Sequence, residues 1–354
     1  MQASRQSGRI PEMTRQYRPD DLTELVRGFQ AACVLIAAAE LDVFTNLNAE
    51  PADANGLARR LQSDPRAAAV LLDAVAAMDL LEKRDGVYFV PPAIAAMLAE
   101  TSANSILGIV RHQGNCLRRW GQLAGVVKTG QPVRGQESVR GAAEDTVSFI
   151  RAMHEISGKF ARGLVKSLEP LKFSHLLDLG GASGTWTIPF LELNPAAKAT
   201  IFDLPDVIPL AAHLDGIPGM AGRIRLVAGD FYADELPAGA DLAWVSAIVH
   251  QNSREQNREM FGKVFKALVP GGNILIRDIV MDESRTSPRS GAFFAVNMLV
   301  ATPGGGTFTF NELREDLGST GFVDVRMLCR GEGMDSVVGA SKPAASYRIE
   351  ELEA

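Results

Sequence analysis

"LLDLGGASGTW", residues 176–186, combines an apolar strand run, a glycine-rich turn and the start of a helix in eleven residues. The strand run ends at Asp178, glycines stand at 180, 181 and 184, and the spacing predicts a helix from near Thr185. Such a turn lets a ligand approach the backbone closely, and the following helix N-terminus favours negative charge. The spacing here is G-x-A-x-G over Gly180, Ala182 and Gly184, so the G-x-G-x-x-G dinucleotide fingerprint is not supplied.

Downstream the same grammar repeats. "ATIFD", "IRLVAGD", "DLAWVSAIV" and "NILIRDIV" are further apolar strand runs, with room between them for crossover helices. "FVDVRML" and "DSVVGASK" are separated only by "CRGEGM" and are expected to pair as a hairpin. A Rossmann-like α/β sheet follows, parallel with a terminal antiparallel hairpin. Ligands of such sheets sit at the carboxyl ends of the strands. Asp203 ends the second strand, where an acid can accept both hydroxyls of a ribose, and Asp230 ends the third, with Phe231 as an apolar wall. "KVFKALVPGGNILIRD" adds a helix that meets a sharp Pro270-Gly271-Gly272 turn into a strand.

Upstream the chain reads differently. Residues 21–103 show short helices with Ala-rich faces, a helix start at Asp64-Pro65, and "EKRDGVYFV" as a strand pair turning at Asp85-Gly86. That is a winged-helix pattern, but Ala31 to Glu100 holds ten acidic and five basic residues, poor footing for phosphate contacts. A packing and dimerisation module fits better than a DNA reader. Residues 1–20 are expected to be a flexible tail, and 104–348 a helical connector plus the α/β domain.

At 354 residues with 46% hydrophobic and 22% charged residues, the composition is that of a globular protein of two domains. The net charge of -6 argues against nucleic acid or an anionic membrane as partner. Three scattered cysteines form neither a disulfide framework nor a metal set, which points to a reducing cytoplasm. No signal peptide is expected, and "AACVLIAAA", ended by Glu40, reads as too short to span a bilayer.

In order and spacing, "DLGGASG", "FDLPDVI", "AGDFY" and "ALVPGG" resemble the cofactor motifs of class I S-adenosylmethionine-dependent methyltransferases. More narrowly, nearly the whole chain is similar to the small-molecule O-methyltransferases related to the caffeic acid and acetylserotonin enzymes. The resemblance implies S-adenosylmethionine as cofactor, a small-molecule acceptor and a homodimer through the N-terminal domain. It places Gly180 and Gly181 at the methionine part of the cofactor and Ser157 near its amino-acid end. Asp203 falls at the ribose and Asp230 with Phe231 at the adenine, while Asp178, Leu204 and Ser246 are assigned to the same site.

In "WVSAIVHQNSREQ", residues 244–256, His250 falls where the family has a histidine that takes the proton from the substrate hydroxyl. A phenol with a pKa near ~10 is a poor nucleophile at neutral pH, and an imidazole within reach can remove its proton as the bond forms. Asp278, at the next strand end, falls at the place of one family glutamate and is expected to orient His250. Two departures stand out. The family's "HDW" is here "HQN", and Thr307 replaces a second glutamate. No metal is expected. Met153, His154, Phe294, Asn297 and Met298 are the candidate acceptor contacts, while His112, His175 and His213 read as surface or loop residues. The departures keep open methylation of carbon or nitrogen and cofactor use without methyl transfer. A ligand-sensing winged-helix regulator is the reading from a different class.

Overall fold

A computed structural model describes residues 16–344 except 182, 210, 212–216 and 218. Most of the expected tail, Ala182 and His213 therefore lie outside the described residues. The chain divides into two compact units with the boundary between Ser105 and Ile106.

The first unit is built on short helices, among them Val43–Ala49, Ala54–Leu61 and Pro65–Ala77. Asp53 and Asp64 cap the last two by accepting from the N–H groups of Gly56 and Ala67, and Pro65 occupies the first helical turn. A three-stranded sheet orders Ala52–Asp53, Val87–Phe89 and Glu82–Arg84, with Asp85 and Gly86 both at positive φ in the hairpin turn. Phe44, Leu47, Leu57, Leu72 and Tyr88 fill its core.

The first helix begins at Pro19, just inside the expected tail. It continues through Gly28, whose backbone stays helical at φ -54 and ψ -21, into Phe29–Glu40. Pro19–Glu40 is thus a 22-residue helical stretch that holds an 18-residue window of mean hydropathy 1.4, long and apolar enough by length and composition to cross a membrane. The run "AACVLIAAA" is the second half of this longer helix, because Gly28 does not interrupt it.

The second unit holds a seven-stranded sheet. Its strands in chain order are β1 (His175–Leu179), β2 (Lys198–Asp203), β3 (Ile224–Ala228), β4 (Ala240–Ser246), β5 (Leu268–Asp278), β6 (Val323–Cys329) and β7 (Ser336–Ser341). Across the sheet they run β6-β7-β5-β4-β1-β2-β3. The first five are parallel neighbours, and β7 pairs antiparallel with both β5 and β6. The expected hairpin therefore forms with its later strand inserted inside. Alternation along the strands sends Leu177, Val245 and Ile276 to one face, under Phe261 and Leu317. Leu176, Trp244 and Leu275 go to the other, under Phe190 and Leu164.

Two local readings change. The helix after the glycine turn is Thr187–Leu193, with Thr185 and Trp186 still in the turn. Pro270-Gly271-Gly272 lies within β5 as an irregularity, since Leu268 already pairs with Ala240 and the register shifts before Leu242. Gly271 takes φ +82 there.

Candidate active site

The glycine turn leaves β1 with Gly180 at φ +69, its N–H donating to the Phe202 carbonyl of β2 at 2.8 Å. Gly181 is needed for a different reason: a Cβ there would lie 2.3 Å from the Asp178 carboxyl carbon. Asp178 is 1% exposed and accepts from the Thr187 hydroxyl at 2.5 Å. It lies beneath the turn, pressed against the Gly181 backbone. Burial pushes its carboxyl up to about 7, against the pull of the Thr187 hydroxyl and with a further push from the Asp203 charge.

Asp203 ends β2 half-buried, with Oδ1 accepting from the N–H of the exposed Leu204 at 2.8 Å. At the exit of β3, Asp230 accepts from the Tyr232 N–H at 2.9 Å. Phe231 beside it packs on the Tyr232 ring, centroids 4.5 Å apart, and against the core. Lys263 ties this loop down by donating to the carbonyls of Phe231, Tyr232 and Asp234 at 2.8, 2.9 and 3.0 Å. Open glycine backbone, an acid and an acid with an aromatic wall thus stand at three adjacent strand ends. That donor and acceptor set fits the amino-acid end, ribose and base of an adenosyl cofactor.

At the ends of β4 and β5 the chain forms a dyad. His250 lies in a 3-10 turn, Val249–Gln251, and its Nδ1 meets both Asp278 oxygens at 3.0 and 2.9 Å. Asp278 also accepts from the Ile279 N–H at 2.8 Å. An imidazole held through Nδ1–H keeps Nε2 as its basic nitrogen. Phe294 stands perpendicular to the imidazole at 4.8 Å. The Gly304–Gly306 segment closes over the turn, the Gly306 N–H donating to the His250 carbonyl at 2.8 Å, where a Cβ on Gly305 would be 2.5 Å from the same oxygen.

Two of the replaced residues, Asn252 and Thr307, have defined partners here. Asn252 is fully buried; it donates to the Asn257 side chain at 3.0 Å and accepts from the Tyr232 hydroxyl. Asn257 in turn donates to the Val249 carbonyl at 3.0 Å. A polar chain thereby ties the Asp230–Tyr232 loop to the histidine turn. Thr307 is buried and donates to the Gly291 carbonyl at 3.4 Å, tying down the helix that carries Phe294.

Of the other acceptor candidates, Met153 is half-buried and Ser157 buried on the helix Ala142–Gly158, and the side chain of His154 lies outside the described residues. Asn297, on Arg289–Ala301, accepts from the Trp120 indole at 2.9 Å, and Met298 is 7% exposed, nearer core than pocket. His112 is half-buried on the helix Leu107–Trp120. It stacks edge-on with Phe149 at 5.2 Å, and burial pulls its pKa down. It lines a cavity of about 480 Å³ with Asn115, Arg119, Asp145 and Phe149. His175 is half-buried and bonded to the Thr200 hydroxyl at 2.9 Å.

Sequence reasoning missed Arg277. It lies between Ile276 and Asp278 on β5, is 1% exposed, and donates to the Ser246 hydroxyl at 2.8 Å. Ser246 stands beside it at the end of β4. The one available signal was a basic residue next to Asp278 inside the strand run "ILIRDIV".

Comparison with known proteins agrees with this architecture. An O-methyltransferase domain profile matches residues 125–323, and an O-methyltransferase dimerisation domain profile matches residues 23–100, a range that takes in most of the long apolar helix. The chain is 32% identical over 330 residues to a 3-hydroxy-5-methyl-1-naphthoate 3-O-methyltransferase of Streptomyces sahachiroi, covering 92% of this chain and 95% of the relative. It is 31% identical over 332 residues to the tetracenomycin polyketide synthesis 8-O-methyl transferase of Streptomyces glaucescens, covering 92% and 97%. Among solved structures, human N-acetylserotonin methyltransferase in complex with S-adenosylmethionine superposes with a TM-score of 0.76 at 26% identity, covering 94% of this chain and 100% of that one.

Proposed function

Since the chain belongs to the O-methyltransferase family, with both the catalytic and the dimerisation domain, we propose that it methylates a hydroxyl of a small aromatic or polyketide-like molecule with His250 as general base. S-adenosylmethionine, when bound, supplies a methyl group already activated on a sulfonium. What the protein contributes is position and proton removal.

His250 takes the acceptor's hydroxyl proton on Nε2 while Asp278 holds the imidazole through Nδ1 and offsets the charge that develops on it. Phe294 shields the imidazole face from water and offers an aromatic acceptor a surface to pack on. Asp203, and Asp230 with Phe231, hold the ribose and base, and the Gly180–Gly181 backbone receives the amino-acid part. The names of the two streptomycete relatives, one acting on a naphthoate and one in polyketide synthesis, support the acceptor class. The dimerisation domain supports a homodimer joined through the N-terminal unit. The cytoplasm is the proposed compartment.

The observation that carries the reading is the His250–Asp278 pair at the carboxyl ends of adjacent parallel strands. It is tested by incubating purified protein with S-adenosylmethionine and a panel of hydroxynaphthoic acids and phenolic polyketides, locating the new methyl by NMR. His250→Ala is expected to lose about 10²- to 10⁴-fold in kcat with S-adenosylhomocysteine affinity within about twofold of wild type. Methyl found on carbon or nitrogen, or an unimpaired His250→Ala, would overturn it.

A further inference from the structure

Arg277 is hard to explain as a structural residue. Its guanidinium is buried against two rings, 4.5 Å from the centroid of Trp186 and 5.3 Å from that of Phe160. Nη1 donates to Ser246 Oγ, while Nε has no acceptor among the described residues. Burial pulls its pKa down to about 10, offset only in part by the charges of Asp278 and Asp335. Among the described residues neither carboxylate forms an ion pair with it. Asp278 is turned to His250, and Asp335 accepts from the Gly333 N–H at 3.0 Å. A buried cation with an unmet N–H is costly unless an anion reaches it.

The surroundings say which anion. Ser246 ends β4, next to the strand that carries the glycine turn. Trp186 stands two residues beyond Gly184 at the end of that turn, and Phe160 three residues beyond Ser157. Arg277 is therefore enclosed by the segments that flank the amino-acid end of the cofactor site. The Ser246 hydroxyl accepts from Arg277, so its own O–H remains to donate. Guanidinium and hydroxyl together make a donor set for one carboxylate, with the two rings holding the guanidinium plane.

We propose that Arg277, with Ser246 as companion donor, anchors the α-carboxylate of the cofactor. This rests on the cofactor site described above. It makes Arg277 a cofactor-binding residue on the fifth strand, where sequence reading placed only the orienting acid.

The test separates the carboxylate from the rest of the ligand. Calorimetric titrations of the full-length protein are made with S-adenosylhomocysteine and with 5′-methylthioadenosine, which keeps the adenosine and lacks the amino acid. Arg277→Met is expected to weaken S-adenosylhomocysteine by about 10- to 100-fold and leave 5′-methylthioadenosine within about twofold. Equal losses for both ligands, or no loss for S-adenosylhomocysteine, would overturn the assignment. Should Arg277→Met not fold, Arg277→Lys and Ser246→Ala decide. Each is expected to weaken S-adenosylhomocysteine selectively and by less, and a non-selective effect in both would overturn the proposal. Wild-type protein that binds neither ligand would instead remove the cofactor site itself, and the Arg277 assignment with it.

Discussion

Replacing Asp178 with asparagine tests whether the carboxyl beneath the glycine turn is neutral when the protein is folded. Asp178 is 1% exposed, has the Thr187 hydroxyl as its side-chain donor at 2.5 Å, and is pushed by burial from 3.8 to about 7. A raised acid pKa means that between about pH 4 and pH 7 the folded chain keeps a proton the unfolded chain has released. Unfolding then releases a proton, and stability falls as pH rises through that window. The penalty is absent below the unfolded value and complete above the folded one. Each pH unit inside the window costs about 1.4 kcal/mol, so going from pH 5 to pH 8 costs about 2 to 3 kcal/mol. The substituted amide would keep the size and the acceptor for Thr187 and carry no charge. The stability of Asp178→Asn relative to wild type is therefore expected to improve by about that amount over the same interval. Urea unfolding followed by tryptophan fluorescence is the assay, because all three tryptophans, Trp120, Trp186 and Trp244, lie in the second unit. Parallel pH–stability curves for the two proteins would refute the reasoning, since they would mean that Asp178 is ionised in its buried site.

Two further outcomes are expected. Asp278→Asn removes the acceptor that fixes the His250 tautomer, and kcat should fall by about 10²-fold or more while S-adenosylhomocysteine affinity holds; an unchanged kcat would release Asp278 from the dyad. Asn252→Leu leaves the buried Asn257 amide and the Tyr232 hydroxyl without their partner, and urea unfolding should show a loss of about 1 to 3 kcal/mol. A loss under about 0.5 kcal/mol would show that the Tyr232–Asn252–Asn257 chain does not hold the histidine turn.

Much of the candidate site's placement was legible because a parallel sheet aligns the carboxyl ends of its strands. Gly180, Asp203, Asp230, His250 and Asp278 each follow an apolar strand run, so a parallel sheet gathers them on one edge. What was not legible depends on which face a side chain takes and what covers it. Asn252 reads as the loss of an aromatic residue until the fold brings Tyr232 and Asn257 to it from twenty residues before and five after. Arg277 reads as an ordinary strand charge until Trp186 and Phe160 close over it. The length of the apolar stretch Pro19–Glu40 turned on the backbone of one glycine, which composition does not report.

Asp178 and Asp278 show why residue type and position do not fix a role. Both stand at or near the end of a parallel strand, both are 1% exposed, and sequence reading assigns both to the site. Asp178 takes the hydroxyl and the backbone N–H of Thr187, carries the Asp203 charge nearby, and has Gly181 pressed so close that no Cβ fits between them. A carboxyl placed so gains by keeping its proton, and what it can do is brace a turn. Asp278 meets the His250 ring nitrogen with both oxygens and takes the Ile279 N–H besides. A carboxyl surrounded by N–H donors can fix an imidazole's tautomer and steady its positive charge as a proton arrives. Two carboxyls of one type, each 1% exposed, thus differ in what they can do through the donors and charges the fold delivers to each.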